Sequence, residues 1–148
     1  MEEKNGKYEE FEYVRYYKDG KIHREDGPAI EHLSGYKEWR QHGKKHRKDG
    51  PAVENGNGTK EWWINGNRHR KDEPAIEHWN GDKYWYLNGE LHCESGPAIC
   101  RTHGNKEWWI AGVEYTEKNF NQWLEKKSLN KKLQSTLESK HKEKKNKI

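Results

Sequence analysis

The sequence predicts a mainly β fold, in which repeated β-hairpins form an elongated antiparallel sheet capped by one or two C-terminal α-helices. Three observations predict it. The phrase His23–Glu31, HREDGPAIE, recurs with a fixed period; short aromatic runs end on Asn-Gly pairs; and after Gly112 the period gives way to helical spacing.

The period is 23 residues. His23, His46, His69 and His92 keep it, as do Pro28, Pro51, Pro74 and Pro97, Trp39, Trp62, Trp85 and Trp108, and a column of glycines from Gly20 to Gly112. Within a unit, KEWWI (Lys60–Ile64) and KYWYL (Lys83–Leu87) read as strands. Asn65-Gly66 and Asn88-Gly89 follow them and supply the positive φ angles of a tight hairpin turn. A second extended segment, Pro74–Trp79, leads to another turn signal at Asn80-Gly81. The Asp-Gly-Pro phrase belongs at a bend, because Pro cannot donate to a strand ladder.

Trp62, Asn65-Gly66, His69 and Gly81 together resemble the MORN repeat, although Arg70 and an Asp-x-Pro-Ala phrase replace that family's second glycine. The whole phrase is more similar to the HRxDGPA-type, MORN-like repeats of phage, giant-virus and bacterial mobile-element proteins. The resemblance covers roughly residues 16 to 112. It implies a hairpin sheet used as a binding or scaffolding surface.

Residues 1–15 read as a degenerate N-terminal β cap and 16–112 as the repeat array. Residues 113–139 read as a helical cap over the last hairpin, and 140–148 as a basic, disordered tail. Thr116 is the expected N-cap. Phe120, Trp123, Leu124, Leu129, Leu133 and Leu137 recur at helical spacing.

Only nineteen residues are Leu, Ile, Val or Phe, while eight are Trp and eight Tyr, so the core is expected to be thin and aromatic. No apolar run reaches the length of a membrane span, and two cysteines cannot make a secreted disulfide framework; the default setting is the cytoplasm, the host's if the protein is viral. Residues 113–148 carry a net charge of +5 and the rest −1, so only the tail (Lys140, Lys142, Lys144, Lys145, Lys147) offers a basic excess to phosphate.

The histidine column is not expected to bind metal. Equivalent positions two strands apart are about 10 Å apart, and zinc ligands must lie about 2 Å from one ion. Hydrogen bonding inside each unit, to Asp26, Asp49 or Asp72, is the expectation instead. Arg24 and Glu31, Arg47 and Glu54, and Arg70 and Glu77 share columns that become Cys93 and Cys100 in the fourth unit. This covariation predicts contact across the bend, as an ion pair three times and a thiol pair once. No phosphate-cradling loop, zinc-ligand cysteine spacing or HExxH is present, so neither catalysis nor a cofactor is expected.

Alternation along each strand separates two aromatic columns. Trp63, Tyr86 and Trp109, with Tyr84 and Trp79 as neighbours, form either a partly exposed binding groove or a surface under the C-terminal helices. The expected function is a non-catalytic protein-interaction module. By resemblance it would be a viral or mobile-element inhibitor of a host protein or ribonucleoprotein complex, of the anti-CRISPR kind. RNA or single-stranded DNA binding through the aromatics and tail is the alternative. A membrane-surface scaffold, using Phe120, Trp123 and Leu124 beside Lys126 and Lys127, ranks last.

Overall fold

A computed structural model of the chain describes residues 3–145, with side chains through residue 142. Lys147 and the side chains of Lys144 and Lys145, counted in the basic tail, lie outside the described residues. The chain divides into two compact units, 1–114 and 115–148.

The first unit is the predicted antiparallel array. Its strands pair in chain order without a crossover, from Gly6–Glu10 and Tyr13–Lys18 as far as Ile99–Cys100 and Lys106–Ile110. Two kinds of turn alternate. At one end, Asn65 (φ 50°) and Gly66 (φ 86°) join Ile64 to Asn67, a two-residue loop with both central residues left-handed. At the other end, three residues such as Trp79-Asn80-Gly81 join His78 to Asp82, with the glycine left-handed. Short strands follow directly from short turns on a 23-residue period.

Three aromatic runs are broken at their first-column ring, Trp39, Trp62 or Trp85, whereas Lys106–Ile110 passes through Trp108 unbroken. Trp62 interrupts Lys60–Glu61 and Trp63–Ile64, so the Asn-Gly hairpins stand as separate two-stranded ribbons beside the broad sheet. Hydrogen bonds still cross each break: the Trp62 amide donates to the Ala75 carbonyl, and the Arg70 amide to Tyr86. The break follows from the Asp-x-Pro bend, which splits the returning strand and re-aims its second half.

The core differs from the aromatic one expected. Ala29, Ala52, Ala75 and Ala98, the alanines of the repeated phrase, have no exposure, while the first-column tryptophans are half-buried. The alanines sit where backbone bonds converge, Ala52 accepting from the Trp39 amide and Ala98 donating to Glu107. The most enclosed positions of the array thus take the smallest apolar side chain. On the opposite rows, cross-strand partners alternate in charge: Glu31 with Lys37, Lys37 with Glu54, Glu54 with Lys60.

The second unit holds one helix, Glu117–Lys145, within the one or two expected, and its backbone continues past Ser139, where a disordered tail was expected. Thr116 caps it as predicted, its hydroxyl accepting from the Asn119 amide at 3.2 Å. Phe120 is buried and its ring lies 6.1 Å from that of Trp123. Leu129, Leu133 and Leu137 do not act as buried residues; they are 59, 53 and 58 % exposed.

Two stability effects follow. Ala52→Leu inserts bulk where there is no space and is expected to cost about 1–3 kcal/mol in urea unfolding, whereas Leu33→Ala, at a residue 82 % exposed, is expected to be neutral. Ala111 (φ 48°) holds the left-handed place that Asn65 and Asn88 fill in other units. Ala111→Asn is expected to stabilise by roughly 1 kcal/mol, read as a rise of roughly 2–4 °C in melting temperature.

Candidate interaction surface

The bend builds a repeated cation seat. The Arg24 guanidinium lies 4.0 Å from the Tyr16 ring, Arg47 4.0 Å from Trp39, and Arg70 3.8 Å from Trp62. Each donates from Nη1 to the proline carbonyl of its own bend at 3.2 Å. Each also reaches the predicted glutamate, Glu31 and Glu54 at 3.3 Å and Glu77 at 2.9 Å. Arg24 and Arg47 add Asp26 (2.8 Å) and Asp49 (3.1 Å), and Arg70 instead pairs with Glu73. In the first two bends a glycine closes the seat, where a Cβ on Gly27 would stand 2.9 Å from the Arg24 Cζ and one on Gly50 3.0 Å from that of Arg47; the third bend has Glu73 in that place. The predicted ion pair therefore forms in all three units.

The thiol pair does not. Cys93 Sγ meets Ser95 Oγ at 3.4 Å instead of the Cys100 sulfur, and both thiols are free. Burial pushes the Cys100 thiol above its ordinary pKa; Cys93 adds to that shift, while Lys106 and Lys83 oppose it.

The histidines serve the next unit through Nδ1, and His23 also meets Glu25 of its own bend through Nε2 at 3.2 Å. Nδ1 of His23, His46, His69 and His92 accepts from the amides of His42, Asn65, Asn88 and Ala111 at 2.9–3.1 Å. Those four acceptors cap the first left-handed residue of the neighbouring turn, nineteen residues on. Pairing to Asp26, Asp49 or Asp72 is thus corrected: the aspartates of the first two bends hold arginine. Among the described residues no group of three or more His, Cys, Asp or Glu side chains is placed to hold a metal ion.

The second aromatic column is half-buried and covered by its own chain. Trp63 lies under Lys45 (4.7 Å) and Arg68 (4.8 Å), and Arg68 also reaches Tyr86 at 5.5 Å. Glu61 anchors this group, accepting from Trp63 Nε1 at 3.0 Å and Arg68 Nε at 3.2 Å. Trp109 Nε1 donates to Glu107 at 3.3 Å; Glu107 pairs with Arg101, which holds its carboxyl below the ordinary range and also neighbours Tyr84. Glu38, the equivalent of Glu61, is buried and paired with Tyr36 and Arg40. Burial, then Glu38, pushes the Tyr36 phenol strongly up. The structure thus brings Trp63 and Tyr86 together through Arg68, and Tyr84 and Trp109 through Arg101.

Trp79 stands apart from these four. It sits in the three-residue turn at the other end of the strands and is 62 % exposed, in the same repeat column as Leu33 at 82 %. Its backbone is fixed, since the Trp79 amide donates to Thr59 Oγ1 at 3.2 Å. One unit later, Asp82 Oδ1 accepts from the Thr102 amide at 2.8 Å and its hydroxyl at 3.2 Å. Thr59 and Asp82 are both buried, and nothing in their spacing alone marks these roles.

His46→Leu leaves the Asn65 amide without its acceptor and is expected to cost about 1–3 kcal/mol in urea unfolding. The Thr102 amide holds the Asp82 carboxyl below its ordinary value. A folded-state pKa depressed in this way stabilises above the unfolded Asp range and loses that contribution as pH falls through it. The stability gap between wild type and Asp82→Asn is therefore expected at neutral pH and to close below about pH 4, followed by denaturant melts across the acid range.

Comparison with protein families, curated proteins and solved structures finds no match for this chain.

Proposed function

We propose that the protein is a non-catalytic interaction module that engages another protein through the three-residue turn tips of its array, centred on Trp79. One observation carries the reading: a large aromatic ring, 62 % exposed, on a backbone fixed by a hydrogen bond from the preceding unit. The ring leans on the His78 ring, 5.9 Å between centroids, and leaves most of its surface to solvent; an exposed tryptophan is the residue type that dominates binding energy when a partner covers it. Holding it on a rigid turn lowers the ordering cost of association. Leu33 adds a second apolar tip in the same column.

The other four residues suggested by alternation (Trp63, Tyr86, Trp109 and Tyr84) then act mainly as a scaffold, because Lys45, Arg68 and the glutamates already occupy their faces and edges. An inhibitor of a host complex, viral in origin, is a narrower form of the same proposal and follows from the MORN-like resemblance. Nucleic-acid binding has a separate support in the exposed lysines of the helix, among them Lys126, Lys127, Lys131 and Lys132. No helix among the described residues is long and apolar enough to cross a membrane.

The test is an affinity capture of tagged wild type and Trp79→Ala from bacterial lysate, with and without nuclease. A stoichiometric protein that survives nuclease should bind Trp79→Ala about thirtyfold more weakly, the effect of removing a hot-spot side chain. The variant's melting temperature should not change. Equal capture by both proteins would remove the turn tip as the site, and nuclease-sensitive capture would favour the nucleic-acid reading.

A further inference from the structure

The fourth bend repeats the architecture of the cation seat without the cation. Trp85 occupies the place of Tyr16, Trp39 and Trp62, and Gly96-Pro97 the place of the closing Gly-Pro, but Cys93 replaces the arginine. Among the described residues no Lys or Arg lies over the Trp85 ring, whereas each equivalent ring carries a guanidinium at 3.8–4.0 Å. The closing glycine reports the same difference. A Cβ on Gly27 or Gly50 would strike the guanidinium, while one on Gly96 would meet nothing within 4 Å. The fold therefore keeps the seat open after losing its occupant.

The open seat joins a cavity of about 380 Å³ lined by Trp85, Leu87, Cys93, Ser95 and, from the preceding bend, Arg70 and Asp72; the equivalent cavity beside the filled Trp39 seat is of about 410 Å³, so the missing guanidinium and not the cavity's size sets this seat apart. Arg70 is committed to Glu73, Glu77 and the Pro74 carbonyl. Asp72 supplies a carboxylate at the cavity wall, where the aspartate and glutamate columns are Ser95 and Cys100 in this unit; Glu94 lines the same wall, 3.8 Å from His92 Nε2. Lys71 lines the same wall, and Lys83 and Lys106 flank Cys100 in the sheet.

We propose that this seat is a socket for an arginine side chain supplied by a protein partner, its guanidinium stacking on Trp85 and donating to the Pro97 carbonyl. The occupant is read from the chain itself, since three copies of the seat each hold a guanidinium and share its ring and proline carbonyl. A planar cation satisfies the ring face and the in-plane carbonyl together, which an ammonium point charge does not. The proposal is independent of the Trp79 reading, which concerns the turn tips, and either can fail alone.

The probe is a blocked Gly-Arg-Gly peptide, with its citrulline counterpart as the uncharged isostere, titrated while the tryptophan indole N–H signals are followed by NMR. The expected result is saturable movement of the Trp85 signal, with Trp39 and Trp62 unmoved because their seats are filled. The citrulline peptide should bind at least about tenfold more weakly, having lost the charge. Cys93→Arg should fill the seat from within and abolish the response. If that variant does not fold, Arg70→Ala provides the converse, opening the Trp62 seat and bringing the Trp62 signal into the response. Equal movement of Trp62 and Trp85 in wild type, equal binding of the citrulline peptide, or a stronger Trp85 response to acetate would each overturn the proposal.

Discussion

Every unit of this array depends on hydrogen bonds that the unit before it provides to its turns. At one end of the strands a histidine Nδ1 receives the amide of a left-handed residue; at the other, Thr59 or Asp82 receives an amide from the next three-residue loop. Left-handed residues other than glycine are unfavourable and their amides point away from the ladder. The bonds that hold them therefore decide whether the turn persists. Among the described residues His23, His46, Thr59 and Asp82 are four of the five buried polar ones, and all four perform this task. Burial of a polar group in so thin a protein marks a joint between units.

The faces are organised by the same economy. The large rings stay half-buried, and the chain's own cations cover them: Arg24, Arg47 and Arg70 over the first aromatic column, Lys45 and Arg68 over the second. Each cation is held in turn by carboxylates and carbonyls. The aliphatic stems of arginine and lysine shield ring surface that aliphatic side chains would cover in a thicker protein. This explains how a chain with nineteen residues of Leu, Ile, Val and Phe maintains a continuous sheet.

Much of this was legible in the residue pattern. The 23-residue period, the left-handed Asn-Gly turns and the Arg–Glu contact across the bend each follow from residues whose conformational or charge requirements are local. What was not legible depends on register between units. The partner of His46 is Asn65, and that of Asp82 is Thr102; periodicity shows that such columns exist but not which column of the next unit lies opposite. The break at Trp39, Trp62 and Trp85 was equally hidden, because the aromatic runs look continuous and the interruption comes from the bend in the returning strand. Among the suggested contact residues, alternation placed Trp63, Tyr86 and Trp109 on one face but could not show that Lys45, Arg68 and Glu107 already engage them. It gave no reason to single out Trp79, whose exposure follows from its place in a turn.

The bonds between units have a kinetic meaning as well. The histidine bonds span 19 residues and the Thr59 and Asp82 bonds span 20, so no joint waits for a distant segment of the chain. Most all-β proteins fold slowly because their strands must find partners far away in sequence. Here loop closure costs the same modest entropy at every step, and each completed unit presents a finished template for the next. Such an array can assemble from its N-terminus as the chain emerges from the ribosome, with a growing edge that is only one unit long.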